Sequence, residues 1–304
     1  MGEAAIRIAA EEFLTPPELR DFQLAGSVAG RVGGVRLELI AGKSGTHFGE
    51  CYQQIPLRVS QPFHFGSSPS ALVYLLNPTA GLMDGDGQLI EIAVRPGAHA
   101  VVVGQSATRI HPALKRFATQ QWRIRVDAGA ALTLLPGPSI PFQGCRYYQR
   151  IAVELAEGAQ FCLGDVWLAG RYARGKMSER FQFETIVQEV LVHREGRLIF
   201  RDRFCWRGPW SETASAWHFG DANACGSCFI TGPADERSTD DTTPGAFFRT
   251  AAGDSVCRWR GNSEAVTQAM VRAAATTPFA DPAWQSPGEL APCHWFSSWL
   301  GPVH

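Results

Sequence analysis

A strand–turn–strand unit recurs three times in the middle of this chain, and it limits the possible folds more than any other feature. Ile92 and Val94 lead into Gly97-Ala98, Ile124 and Val126 into Gly129-Ala130, and Val153 and Leu155 into Gly158-Ala159. In each unit two apolar residues stand two apart, as on one face of a β-strand, and a new apolar run follows the Gly-Ala pair. Glycine suits the turn because it takes positive φ without steric cost. The three glycines are 32 and 29 residues apart. Units of near-constant period bury their apolar faces by stacking on one another. The expectation is a mainly β protein, its strands layered into a β-helix-like stack. Ordinary antiparallel hairpins would give a similar pattern.

Helices are few. Asn262 is a suitable N-cap, and Val266, Ala269, Met270 and Ala273 follow at helical spacing, which predicts a helix from Asn262 to about Ala275. A second short helix is expected from Pro112 to Thr119. Residues 1–25 read as a loosely ordered acidic segment, broken at Thr15-Pro16-Pro17, and 26–304 as a single β-rich domain. Thr231 to Gly245, rich in Asp, Thr and Pro, reads as a mobile loop.

With 28 Lys and Arg against 29 Asp and Glu, the chain offers no broad cationic surface for nucleic acid. The N-terminus lacks the basic start and apolar core of a secretory signal, and no apolar run would cross a bilayer. Eight cysteines spread over 304 residues read as free thiols in a reducing compartment rather than as a disulfide framework. A cytoplasmic protein with no nucleic-acid or membrane partner is the expectation.

Signatures of catalysis are missing. Ala41-Gly-Lys43-Ser44 imitates the end of a phosphate-binding loop, but the first glycine of that loop would fall on Leu37. Gly104-Gln-Ser106-Ala-Thr108 has threonine where a nucleophile elbow needs a small residue. Asp84-Gly-Asp86 starts like a calcium loop, yet positions six and twelve would be Leu89 and Arg95.

Several motifs, in order, carry a family resemblance. They are Tyr74-Leu-Leu-Asn77-Pro-Thr-Ala-Gly81-Leu-Met-Asp-Gly85-Asp86, Gly104-Gln105-Ser-Ala-Thr108-Arg109, Leu135-Pro136-Gly-Pro138-Ser-Ile140-Pro-Phe142 and Gly170-Arg171-Tyr-Ala173-Arg-Gly175. Gly45-Thr46 and Gln54-Ile-Pro56-Leu57-Arg58-Val59 precede them. Together they resemble the UreD (UreH) family of urease accessory proteins over roughly residues 26 to 210. The resemblance implies a non-enzymatic scaffold that binds UreF, reaches the GTPase UreG through UreF, docks on apo-urease and assists nickel insertion. No tightly bound cofactor is implied; nickel is in transit through a polar interior. A dimer within the accessory complex is compatible with this. Lys176 stands where the family has a glutamate, and an ammonium repels a divalent cation.

By that resemblance Asp86 is the residue to favour for nickel passage, because a carboxylate suits a hydrated divalent ion. A capping aspartate in a glycine turn is the alternative. Asn77, Gln105, Thr108, Pro136 and Arg171 are the accompanying structural or passage-lining residues. Cys225-Gly-Ser-Cys228, with Cys293-His294 far downstream, is a weaker metal candidate, since no second CxxC or close HxxxH completes it. His47 and Cys51 are spaced to share a strand face but read as a core or surface pair. The apolar stretch from Pro292 to Trp299, with Trp295, could dock on the body or on a partner. Two other readings compete. One is a UreD-like interaction scaffold without a metal role, motivated by Lys176. The other is a β-helical enzyme acting on polysaccharide, with Asp84 and Glu91, or Glu154 and Asp165, as carboxylate pairs.

Overall fold

The computed structural model describes residues 7–22, 32–64, 68–171, 179–234 and 243–280. Lys176, the Pro292–Trp299 stretch and most of the Thr231–Gly245 loop lie outside them. The described chain opens with β1 (Val32–Gly42), β2 (Gly45–Gln54), the short β3 (Arg58–Val59) and β4 (Ala71–Leu76). It then settles into coils. β5 (Gly87–Val94) is followed by β6 (His99–Gln105) and β7 (Thr108–Ile110), and β8 (Ala118–Val126) by β9 (Ala131–Leu135) and β10 (Ser139–Pro141). β11 (Arg146–Leu155) leads to β12 (Gln160–Leu168), and β13 (Thr185–Arg194) turns back as β14 (Arg197–Arg207). Helix α1 (Glu212–Phe219), β15 (Ala224–Ile230), β16 (Gly245–Arg249), β17 (Ser255–Gly261) and helix α2 (Ser263–Ala275) follow.

From β5 to β13 the chain passes back and forth between two facing sheets. The first has the order β14-β13-β11-β8-β5-β1-β2, and the second β16-β17-β15-β12-β9-β6-β4-β3, with β7 and β10 beside it. Strands β5, β8 and β11 are parallel neighbours in the first sheet, and β6, β9 and β12 in the second. Each sequence repeat is therefore one coil of the stack, and the antiparallel-hairpin reading of the repeat does not hold.

The glycines make the coils superimpose. Gly97, Gly129 and Gly158 have φ near +70° (74°, 70° and 74°). Each sits in the same turn, closed by a backbone bond from Ala98 to Arg95 (3.0 Å), Ala130 to Asp127 (3.1 Å) and Ala159 to Ala156 (3.1 Å). Ala131 N–H then donates to Ala98 C=O (3.0 Å) and Gln160 N–H to Ala130 C=O (2.9 Å), tying one turn onto the next. Ile90, Ile92 and Val94 stack beside Trp122, Ile124 and Val126, and these beside Ile151, Val153 and Leu155, to form the main core.

Two further clusters close the ends and back of the stack. Helix α2 buries Val266, Ala269, Met270 and Ala273 on the outer face of the second sheet, near Cys162, Cys228 and Cys257. Asn262 caps it, its Oδ1 accepting from Ala265 N–H at 2.8 Å. At one end of the sandwich Trp167, Phe181, Phe183, Phe204, Trp206, Trp210 and Phe219 pack ring against ring. Trp206 and Trp210 thus belong to a core, whereas Trp217 on α1 is 84% exposed.

Two expectations from the sequence need correction. No helix forms over Pro112–Thr119. The N–H groups of Leu114, Lys115 and Arg116 bind the Asp84 carboxylate (3.1, 3.0 and 2.8 Å), and the chain enters β8 at Ala118. Residues 7–22 are not loose: Ile8 and Phe13 pack on Leu89, and Leu19 on Phe117, Tyr148 and Val187. The Glu12 carboxylate also joins Arg36 at 2.7 Å.

Close backbone approach leaves no room for side chains at some glycines. A Cβ on Gly104 would stand 2.0 Å from the Pro136 carbonyl oxygen, across the β6–β9 contact. Gly104→Ala should therefore destabilise the protein by roughly 1–3 kcal/mol, as overpacking does. Urea unfolding of the variant would show it as a lower midpoint with an unchanged slope.

Candidate functional site: a buried glutamine row and the motif pocket at its flank

The family-motif residues converge on one small pocket. Asn77 and Thr79 after β4, Gly81, Gly104 to Arg109, and Pro136 after β9 line it, with Leu57, Leu75 and Gln120 behind. Asn77 Oδ1 accepts from Thr79 N–H (3.2 Å) and from its hydroxyl (2.8 Å), which fixes the loop as an Asx turn. Ser106 holds φ at 62°, a left-handed conformation at a non-glycine residue. Gln105 and Ser106 are exposed, Thr108 is half-buried and Pro136 is buried, so the pocket runs from the surface inward. Its volume of about 40 Å³ fits about one to three water molecules.

Gln120 connects the pocket to a feature outside the family motifs. Gln88, Gln120, Gln149 and Gln188 are register neighbours across β5, β8, β11 and β13. All are at most 5% exposed and share the strand faces that carry the core apolar residues. Gln120 Nε2 donates to Gln88 Oε1 (2.9 Å), and Trp122 Nε1 to Gln120 Oε1 (3.0 Å). Gln188 Nε2 donates to Gln149 Oε1 at 2.6 Å and also to Asp165 Oδ2, from the facing sheet. Trp167 Nε1 is the second donor to that oxygen (2.7 Å). A signal was present in the sequence: Gln88, Gln120 and Gln149 each stand nine residues before their turn glycine.

The row is not self-satisfied. Gln88 Nε2, Tyr147 Oη and Asp165 Oδ1 are buried without a hydrogen-bond partner. Burial pushes the Asp165 carboxyl up to about 6, despite the lowering effect of Gln188 and Trp167. Burial, followed by the Asp165 charge, also pushes the Tyr147 hydroxyl well above its usual value.

The remaining candidates lie outside the pocket lining. Asp86 is 4% exposed, and its Oδ2 accepts from Met83 N–H at 2.9 Å, closing the turn before β5. The Arg171 guanidinium pairs with Glu179 and lies over the Phe142 ring, 4.5 Å from its centroid. Cys225 and Cys228 do not converge as a chelating pair, because three residues along a strand reverse the face. Cys225 packs with the aromatic cluster, and Cys228 lies under α2 with its sulfur 3.6 Å from that of Cys162. Burial raises the Cys225 thiol to about 12, and the Cys162 contact, then burial, raises Cys228, so neither favours the thiolate that a metal takes. A register shift between Leu37 and Leu39 puts His47, opposite Ile40, and Cys51, opposite Leu37, on opposite faces. Among the described residues no group of three or more His, Cys, Asp or Glu is arranged to hold a metal ion.

The carboxylate pairs considered for polysaccharide cleavage are not paired either. Asp84 is engaged by three backbone N–H groups, and Glu91 by Arg36 and Arg123. Glu154 binds His193 on the outer face, while Asp165 points inward. Among the described residues no helix is long and apolar enough to cross a membrane.

A two-sheeted β coil with a row of buried amides in its interior defines the structural class of the protein. A sequence model described as "UreD urease accessory protein" matches residues 31–295, and the chain belongs to that family. It is 32% identical over 212 residues to the urease accessory protein UreD of Deinococcus radiodurans, covering 67% of this chain and 74% of that one. It is 33% identical over 199 residues to UreD 3 of Methylorubrum populi (62% and 63%). It is 30% identical over 164 residues to UreD of Sporosarcina pasteurii (52% and 64%). These relatives are named as accessory proteins and not as enzymes.

The ionisation of Asp165 fixes a testable sign. Its native carboxyl is raised to about 6 from 3.8, so between those values the folded state binds more protons than the unfolded one. Stability is then lost as pH rises from about 4 to about 6, and the full cost stands above that range. Asp165→Asn keeps an acceptor for Gln188 and Trp167 and cannot ionise. It should stabilise the isolated protein by on the order of 3 kcal/mol at neutral pH and by nothing below about pH 4. Urea unfolding at both pH values measures the difference.

Proposed function

We propose that this chain is a non-catalytic scaffold of urease maturation, working in the cytoplasm, which assists the delivery of nickel to apo-urease. In this reading it binds UreF, reaches UreG through UreF, and docks on the urease apoprotein. Membership of the UreD family supports the client. The observation that carries the metal role is the row of buried amides ending on one incompletely bonded carboxylate. Directed transfer needs weak, reversible oxygen ligands rather than a closed thiolate or imidazole cage, and neutral amides with a single carboxylate meet that need.

Asp165 takes over from Asp86 as the principal nickel-handling residue. Asp165 stands on the buried amide row and keeps its Oδ1 without a partner, whereas Asp86 closes the turn before β5 through the Met83 N–H. Asp86, Gln120 and the pocket residues Asn77, Gln105 and Thr108 keep the entrance in shape and wet. Nickel is cargo here and not a resident cofactor.

Asp165→Ala should lower nickel incorporation into purified apo-urease by at least about tenfold, the effect of losing one charge-assisted ligand, while co-purification with UreF and urease persists. Metal analysis of the urease, beside its activity, is the readout. Full nickel loading by the variant would discard the metal role, and failure of the wild-type protein to bind either partner would discard the scaffold reading.

A further inference from the structure

One end of the sandwich carries a rim of three cations without ion pairs among the described residues: Arg109 in the lining of the motif pocket, and Lys115 and Arg116 on the segment that follows it. Arg109 and Lys115 are exposed and Arg116 is half-buried, and among the described residues none of the three is ion-paired. The neighbouring guanidiniums are engaged: Arg146 with Glu184, Arg171 with Glu179, and Arg180 with Asn223 and the Ala222 carbonyl. Asp84 is the carboxylate at the rim, and it faces backbone N–H groups rather than the cations.

Leu114, beside Lys115, is 85% exposed. A leucine on a mobile loop would carry little meaning, but this one is held. Asp84 fixes its own N–H and the two that follow, and Ala113 N–H is tied to the Gly144 carbonyl (3.1 Å). The same segment is stitched to the pocket. Leu82 N–H donates to the Arg109 carbonyl (2.8 Å) and His111 N–H to the Leu82 carbonyl (2.9 Å). A fixed apolar knob costs little further side-chain entropy when it docks.

We infer that this rim docks an acidic protein surface with an apolar recess for Leu114, and that the partner sits over the mouth of the pocket. Two features favour a protein over a small anion. The backbone N–H groups that would cradle an anion are already filled by Asp84. A free anion also gains nothing from an exposed leucine, whereas interfaces combine one buried apolar anchor with a charged rim. This inference rests on the scaffold reading above for its partner.

Urease apoprotein and UreF, each purified, are the probes, tested against the full-length chain by calorimetry. Leu114→Asp and the Arg109→Glu/Lys115→Glu pair should each weaken binding of one probe at least about tenfold. Wild-type binding should weaken between about 50 mM and about 500 mM NaCl, and the charge-reversed pair should lose that dependence. Leu198→Asp, on β14, is the control and should leave binding unchanged; unfolding curves confirm that the variants fold. Unchanged affinity in folded rim variants overturns the inference and leaves the scaffold reading standing, while no wild-type binding of either probe overturns both. Saturable binding of inorganic phosphate that is abolished by the rim variants, with protein binding intact, would make the rim an anion site and also overturn it.

Discussion

Three like turns, the second and third each donating backbone to the one before, set the register of the coil interior on which the rest of this structure is built. The turn at Gly97 lies under that at Gly129, which lies under that at Gly158, and cross-coil bonds lock the pairs together. Once the turns coincide, residues at equal distance from the glycine become neighbours. Ala98, Ala130 and Ala159 form one layer, Val94, Val126 and Leu155 the next, and Gln88, Gln120 and Gln149 the last. A slip of one residue in any coil would turn its apolar set outward and break the glutamine row.

That row is energetically awkward. Buried amides are tolerable when their hydrogen bonds are complete, and a half-satisfied network is worse than an apolar layer. Here Gln88 Nε2, Tyr147 Oη and Asp165 Oδ1 remain without partners, and Asp165 would ionise near pH 6 inside the fold. The surrounding core compensates: the branched aliphatic layers on one side and the aromatic cluster of Trp167, Trp206 and Phe183 on the other hold the polar layer between them.

The outer face of the first sheet is organised on a different principle. Arg36, Glu91 and Arg123 form a cross-strand ladder with Glu12, and Glu38, Arg95 and Asp127 form another. These half-exposed pairs each contribute little. Their effect is on register and on the N-terminal segment, which they help to pin over Leu89 while Ile8 and Phe13 cover that residue from water. Charge therefore shapes the outside of the coil, as apolar layers and amides shape its inside.

The sequence by itself determined the coil. A glycine at a fixed step after two alternating apolar residues demands positive φ and burial on one face, and both are local requirements. It also determined helix α2, whose cap and apolar spacing lie within one segment, and it grouped the motif residues that meet at the pocket. The tertiary structure decided what local pattern does not encode. Asp84, thirty residues away, took the backbone donors that a helix over Pro112–Thr119 would have used. Strand alternation sent Cys225 and Cys228 to opposite faces, and the meeting of the two sheets brought Asp165 onto the glutamine row. Burial and partner geometry depend on which distant residues come together, and single-chain spacing carries that information only where a repeat writes it, as the nine-residue step from glutamine to glycine does here.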